Sequence, residues 1–378
     1  MGDLLADHTT LRLGGPADEL LVHTDPTAWP DLLGELPCQP WVLGGGSNVL
    51  APDAGHCGVV VIMATRGITT THGPRDTVEV TARAGEPLAD LVAHTVAHGL
   101  SGIEYLTGIP GTAGAAPVQN AGAYGQEIAD TLTTLTAHDH HTGRTVRLTR
   151  EQCRFGYRTS RFKTQPGRFT ILDITLRLTP RSHAAPITYR HLAQALDVVL
   201  GATPPLAEAA AGVAADRAAR GLLLPAHGPD ARQVGSVFLN PPVTAHQATA
   251  VRAAGGPLHR TSDGTERASA GWMIQRLGHR PDSPLGPGIW CSTLRALTVV
   301  ARENATATAF ADTLAGLVTD VETTFGIRLR PEPNTPHCRL AQPLRGWSAA
   351  VTGHDADPRD ATPAPATDLR PRAGSPVS

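Results

Sequence analysis

Apolar positions along the chain change period several times, and each change predicts an element. Trp41-Val-Leu43 and Val59-Val-Val-Ile-Met63 are unbroken apolar runs on either side of Gly44-Gly-Gly-Ser-Asn48, a pattern that reads as strand, tight turn, strand. Val78-Glu-Val-Thr-Ala82 alternates like a half-buried strand. Glu86-Pro87 then opens a helix with Leu88, Leu91, Val92 and Val96 on one face, and Gly99 closes it. Thr131 to Ala137 and Thr145 to Leu148 flank His138-Asp-His-His-Thr-Gly143 as a hairpin, and Phe169 to Leu178 reads as another strand. From about Pro205 the texture changes to an alanine-rich helix, Leu206 to Arg220, followed by a Pro/Gly-containing connector that reaches Gly235. A domain boundary near residue 200 follows. Asn304 is the expected N-cap of a second long helix, whose Phe310, Leu314, Leu317, Val318, Val321 and Phe325 share a face that reads as core. After about Gly346 few apolar residues remain, so the end of the chain reads as disordered.

Composition narrows the class. A chain of 378 residues has room for two or three domains at about 100 to 200 residues each. A hydrophobic content of 41% and a formal charge of −2 fit a soluble globular protein and leave no excess of positive charge for a nucleic-acid surface. Nothing approaches the roughly 18 consecutive apolar residues of a membrane span, and no basic start precedes an apolar run. Cys38, Cys57, Cys153, Cys291 and Cys338 are odd in number and scattered without a CxxC pair, which argues against a disulfide framework and a zinc site and for the cytoplasm. His94 and His98 have i, i+4 spacing but lack the Glu of HExxH, and His138 to His141 reads as a solvated turn, so no metal is expected. Nearly all the basic residues are arginine, Lys163 being the only lysine, which reads as a coding bias.

Two glycine-rich stretches carry the chemistry. Gly108-Ile-Pro-Gly-Thr-Ala-Gly-Ala-Ala-Pro-Val-Gln-Asn-Ala-Gly-Ala-Tyr-Gly125 holds five glycines and two prolines without becoming low-complexity. Missing Cβ atoms admit positive φ and let a flat ring or a diphosphate reach main-chain N–H groups, while the prolines stiffen the loop. Gly44, Gly45 and Gly46, with Ser47 and Asn48, can turn several N–H groups toward one anion. This stretch lacks both the GxGxxG spacing of a dinucleotide fingerprint and the GKT/S of a P-loop, and a plain turn accounts for it equally well in isolation. Two such loops about sixty residues apart suit a dinucleotide, its pyrophosphate on one and its ring system along the other.

Seven motifs then occur in order: Thr9-Thr-Leu-Arg-Leu-Gly-Gly-Pro-Ala17, Val42 to Leu50, Gly108 to Gly125, Gly156-Tyr-Arg-Thr-Ser-Arg-Phe-Lys163, Gly235-Ser-Val-Phe-Leu-Asn-Pro241, Ser269-Ala-Gly-Trp-Met-Ile274 and Leu329-Arg-Pro-Glu-Pro333. In this the chain resembles the UDP-N-acetylenolpyruvoylglucosamine reductase family, flavoenzymes of peptidoglycan precursor synthesis.

The resemblance implies an α+β protein of three domains, with FAD held non-covalently between the first two as in vanillyl-alcohol-oxidase-type flavoproteins. The domains are placed at 1–66, 67–203 and 204–342, before a disordered tail at 343–378. It further implies hydride transfer from NADPH to flavin N5, then from N5 to C3 of the enolpyruvyl ether of a UDP-sugar, with a proton completing C2. Arg158 is implied at the substrate carboxylate, where a guanidinium stabilises developing enolate charge. Ser236 is implied as proton donor to C2 and Glu332 as the acid beside Arg158, its pKa raised if a substrate anion approaches. Gly108, Ile109, Pro110, Gly111, Thr112, Gly114 and Ala115 are expected at the cofactor with Gly44 to Asn48. Tyr124, Tyr189, Arg220 and Asn240 are expected at the substrate, Tyr189 and Arg220 on its diphosphate.

The chain departs from the family pattern at Leu239, Arg295 and Ala301, all in the third domain. Two further readings therefore stay open, a paralogue reducing a related nucleotide-sugar enol ether and a flavin-binding protein with little turnover. A cytoplasmic monomer without nucleic-acid or membrane partners is the expectation.

Overall fold

The computed structural model describes residues 2–261 and 263–336. The tail expected to be disordered, 343–378, and Cys338 lie outside the described residues.

The first layer is a small parallel sheet. Strands β1 (Ala17–His23) and β2 (Trp41–Leu43) both run parallel to β3 (His56–Met63), in the order β1-β3-β2, with helix α1 (Trp29–Glu35) between the first two. The expected tight turn between β2 and β3 is thus corrected, since parallel strands cannot be joined by a two-residue turn and the chain must cross over instead. The reason lies in the unbroken run Val59-Val60-Val61, buried on both faces as parallel strands usually are. Leu5, Leu43 and Ala51 cover one face and Trp29 and Ala84 the other. Gly44 to Asn48 is therefore released at the carboxyl end of a strand, where open sheets bind their ligands.

The second layer is antiparallel, ordered β10-β9-β11-β5-β4. It comprises β4 (Ile68–His72), β5 (Val78–Arg83), β9 (Leu132–Asp139), β10 (Arg144–Thr149) and β11 (Phe169–Pro180), with the two-residue β6 (Leu100–Ser101) paired to β11. Leu88, Leu91 and Val92 of helix α2 (Leu88–Ala97) pack on Val80 and Leu176. The predicted hairpin closes at Asp139, whose carboxylate is held by Arg168 at 2.9 Å. A short ribbon, β7 (Gly122–Ala123) and β8 (Gln126–Glu127), and helices α3 (Ile128–Thr131) and α4 (Arg161–Thr164) surround the glycine-rich loop.

Helices α5 (Arg190–Ala195) and α6 (Leu206–Ala219) follow. The alanine-rich α6 packs Leu206, Ala209 and Val213 against Tyr105, Tyr124, Ile187 and Leu192. Alanine on every face leaves no wide apolar stripe, and α6 docks where small residues permit close approach.

The third domain holds a four-stranded antiparallel sheet and two short ribbons. Its strands are β12 (Gln233–Ser236), β13 (Phe238–Leu239), β14 (Leu258–Arg260), β15 (Glu266–Ala268), β16 (Pro284–Gly286), β17 (Ile289–Cys291), β18 (Thr298–Ala301) and β19 (Arg330–Pro331). The sheet runs β12-β18-β17-β16, while β13 pairs with β19 and β14 with β15. Helices α7 (Ala245–Ala253), α8 (Ala270–Arg276) and α9 (Ala307–Phe325) cover it, and α9 buries Phe310, Leu314, Leu317, Val318 and Val321 as its periodicity predicts. Its N-cap is Thr306, not Asn304, which takes a left-handed φ of 60° two residues too early. Asp53 of the first layer accepts from the main-chain N–H groups of Ala307 and Thr308 at 2.7 and 2.8 Å, where a carboxylate also meets the positive end of the helix dipole. Leu11, Leu13 and Leu50 join the third domain's core, so first and third units are packed together. Among the described residues no helix is long and apolar enough to cross a membrane.

Candidate active site

The two glycine-rich loops meet face to face. A Cβ on Gly44 would lie 2.7 Å from Thr112 Oγ1 and 3.3 Å from the Ala115 methyl, and one on Gly45 3.1 Å from Gly111 Cα. Gly46, at φ +60°, passes so close to His8 that a Cβ would fall 2.0 Å from its carbonyl oxygen, and the Gly46 carbonyl accepts from Thr10 N at 3.1 Å. Gly111, at φ +114°, accepts from Leu88 N at 3.0 Å, and Gly114 donates to Ala84 O at 2.9 Å. Ser47 faces Gly111; Ile109 packs on the second core, and Pro110 is exposed. A cleft of about 420 Å³ opens beside Gly44 and Gly45, lined also by His8, Thr9, Thr10 and Leu224. Gly44 and Gly45 bring bare main chain to this cleft beside the polar side chains of Thr9, Thr10 and Arg12, a lining that fits an anionic dinucleotide. A second groove of about 480 Å³, along α9 between His279 and Asp312, shares no residue with these loops.

Arg158 is aimed by its backbone and by two carbonyls. It adopts φ +52°, and its Nη1 donates to Asn120 O at 3.2 Å while Nη2 donates to Gly122 O. Asn120, itself left-handed at φ +47°, donates from Nδ2 to Glu127 Oε2 at 2.7 Å and to Gly156 O at 3.2 Å, and accepts from Ala129 N at 3.0 Å. Burial pushes the Glu127 carboxyl up, and Arg158 and Asn120 oppose this. Ser160 caps α4 and donates to Val118 O at 2.6 Å. The Gly156-to-Lys163 motif is thereby bolted to the far end of the glycine-rich loop.

Glu332 arrives from the opposite side. Pairing of Phe238 with Pro331 places Glu332 N on Val237 O at 2.8 Å, one residue from Ser236. Asn48 joins all three segments, donating to Gln119 Oε1 and to Glu332 O, and its own carbonyl accepts from Asn334 N at 2.9 Å. Burial drives the Glu332 carboxyl well up, opposed by the positive charges of Arg158 and Lys163. Tyr157, pushed up by burial, stacks under the Arg267 guanidinium at 4.3 Å. Glu332 thus lies in the field of Arg158, and its main-chain N–H is held one residue from Ser236, so three separate segments meet here.

A second cluster lies at α6. Tyr124, buried at φ +50°, donates its hydroxyl to Asp216 Oδ2 at 2.6 Å, and Asp216 pairs with Arg220 at 3.1 Å. Arg217 donates to Gly108 O at 3.2 Å and Leu222 O at 2.7 Å. Arg295 is lowered to about 10 by burial and then by the charges of Arg220 and Arg217. Three guanidiniums therefore face one carboxylate, an arrangement short of negative charge. Half-exposed Tyr189 sets its ring edge-on to Tyr124 at 5.9 Å. Asn240 is committed differently, since its Oδ1 accepts from Ala270 N at the start of α8, at 3.0 Å.

The sequence reading passed over Asn120, Glu127, Asp216, Arg217 and a role for Lys163 and Arg295. The i, i+4 pair Asp216–Arg220 was legible on a helix. Asn120 had no such signal, because its left-handed backbone and its partners 36 residues away exist only in the fold.

Residues 35–149 match the FAD binding domain family, and residues 228–335 match the C-terminal domain of UDP-N-acetylenolpyruvoylglucosamine reductase. A reductase of that name from Salinispora arenicola (strain CNS-205) is 40% identical over 353 residues, covering 89% of this chain and 95% of the relative. Another, from Streptomyces coelicolor, is 37% identical over 88% of both chains. The crystal structure of the Thermus caldophilus reductase superimposes with a TM-score of 0.59 at 25% identity, covering 88% of this chain and 97% of that one. With 40% identity over 89% of its length to one such reductase and 37% over 88% to another, the chain belongs to the UDP-N-acetylenolpyruvoylglucosamine reductase family.

Proposed function

We propose that this protein reduces UDP-N-acetylglucosamine enolpyruvate to UDP-N-acetylmuramate, using FAD as cofactor and NADPH as hydride donor. The observation that carries the reading is the convergence of Arg158, Ser236 and Glu332 beside two facing glycine loops. When bound, FAD supplies the hydride relay from NADPH to C3 of the enolpyruvyl group. Gly44 to Asn48 and Gly108 to Ala115 would hold it, since the absent Cβ atoms let the two loops close on one another beside the cleft that Gly44 and Gly45 line.

The remaining chemistry belongs to the side chains. Hydride addition at C3 leaves negative charge at C2 and on the carboxylate, and Arg158, fixed on two carbonyls before substrate arrives, stabilises it without reorganisation. Ser236 donates the proton to C2. Glu332, whose carboxyl burial favours in the protonated form, donates a hydrogen bond to the substrate carboxylate beside Arg158. Tyr189, Arg220 and the buried Tyr124 receive the diphosphate, where surplus positive charge waits. Asn240 serves the uridine diphosphate through its remaining amide. The FAD unit extends through α6, and the substrate unit begins in the connector before β12. Cys38, Cys153 and Cys291, free among the described residues, fit a reducing cytoplasm.

Stopped-flow absorbance of the bound flavin tests the reading. Oxidised enzyme mixed with NADPH should bleach, and reduced enzyme mixed anaerobically with the enolpyruvyl UDP-sugar should reoxidise rapidly. Bleaching without reoxidation points to a paralogue with another substrate, and protein that cannot bind FAD sinks the proposal.

A further inference from the structure

Lys163 is the one lysine in a chain that uses arginine everywhere else. Its Nζ is buried and has no hydrogen-bond partner among the described residues. An ammonium out of water normally has acceptors around it, because the unpaired charge is costly. The position is enforced rather than accidental: Ser160 caps α4 by accepting from Phe162 N and Lys163 N at 3.2 and 3.4 Å, and its hydroxyl is tied to Val118 O in the glycine-rich loop. Glu332 reaches that loop from the other side, through Asn48 and Gln119. Lys163 and Glu332 therefore converge on the same turn, residues 116–119, from opposite directions.

The charges facing them are few. Glu332 lies in the field of Arg158, Lys163 and Tyr157. Lys163 lies in the field of Glu332, Arg158 and Arg330, so among the described residues Glu332 is the anion that faces it. We propose that Lys163 is a positioning residue for Glu332, its buried ammonium fixing the charge that this carboxyl carries when an anionic substrate enters. Arginine would not serve equally at every point, but it keeps the charge, and it is the residue the chain prefers elsewhere. Burial drives Lys163 down and Glu332 up, and the opposite charge of each partner works against both shifts.

The inference rests on placing Glu332 in the substrate site, and the test separates the two. The holoenzyme is titrated while the infrared C=O band of the protonated Glu332 carboxyl is followed, the band being identified by its loss in Glu332→Gln. In Lys163→Met its midpoint should move to higher pH by about one unit or more, the scale of a neighbouring opposite charge. In Lys163→Arg it should stay near the native value. An unmoved midpoint in Lys163→Met, an equal move in both variants, or no band in either native enzyme or Lys163→Met overturns the proposal. Should Lys163→Met not fold, Lys163→Gln carries the same comparison. Full turnover of Glu332→Gln would instead remove Glu332 from the substrate site, whatever the midpoints.

Discussion

The side-chain amide of Asn48 donates to the main-chain oxygen of Glu332 at 3.3 Å, across 284 residues of sequence. The same amide reaches Gln119 of the second loop, so one side chain ties both glycine loops to the acid of the third domain. Asn48→Ala should lower stability by about 1–3 kcal/mol, the usual cost of stranding partly buried partners. It should also weaken FAD and substrate binding together. Denaturant unfolding of the flavin-bound protein and the flavin-to-protein absorbance ratio check this, and loss of stability with unaltered affinities would confine Asn48 to the scaffold.

Both glycine loops and the main helical and strand periods were legible, because each depends on neighbours in sequence. Val78 to Arg83, α2 and the hairpin at His138 to Gly143 lie where their patterns place them. What escaped was non-local. The run Val59 to Val61 cannot say whether β2 lies parallel or antiparallel to it, and the register of β13 on β19, which brings Ser236 to Glu332, is fixed by a segment ninety residues on. The resemblance pointed to Arg158, Ser236 and Glu332 but not to Asn120, which holds Arg158 through geometry rather than motif.

Gly46 gives a prediction with an internal control. Alanine there must take φ +60° and place its methyl on the His8 carbonyl, so Gly46→Ala should cost at least about 1–2 kcal/mol from backbone conformation, with the clash in addition. It should be purified largely without flavin. Gly34→Ala, at a helical position with open space around it, should leave flavin content unaltered. Full flavin occupancy in Gly46→Ala would show that the first loop tolerates movement.

Tyr124 joins the arginine cluster through a 2.6 Å bond to Asp216. Tyr124→Phe leaves the ring in its core and frees Asp216 to draw Arg220 away from an incoming diphosphate. The KM for the UDP-sugar should rise about tenfold, equivalent to about 1.4 kcal/mol, with kcat nearly unchanged. A fall in kcat at constant KM would place Tyr124 in the chemical step.

Ser236→Ala separates the two half-reactions. Flavin reduction by NADPH needs no proton donor to C2 and should proceed at near the native rate. Reoxidation by the enolpyruvyl substrate should slow by roughly 10²–10⁴-fold, the usual contribution of a positioned acid. Equal losses in both halves would assign Ser236 to binding.

Glu332 also predicts a pH dependence of stability, with a definite sign. Its folded-state pKa is raised, chiefly by burial, so the folded protein holds this proton more tightly than the unfolded chain, where a glutamate titrates near about 4.3. The stabilisation is complete below that value. As pH rises through the window between the unfolded and folded values, the unfolded state releases the proton first and stability falls. Glu332→Gln removes the titration, so the variant should gain stability relative to the native holoenzyme as pH rises from about 4 into the neutral range. Urea unfolding of both flavin-bound proteins across that range measures the difference. A variant that loses ground with rising pH would mean that the carboxylate is stabilised in the fold, and Arg158 and Lys163 would then outweigh burial at this site.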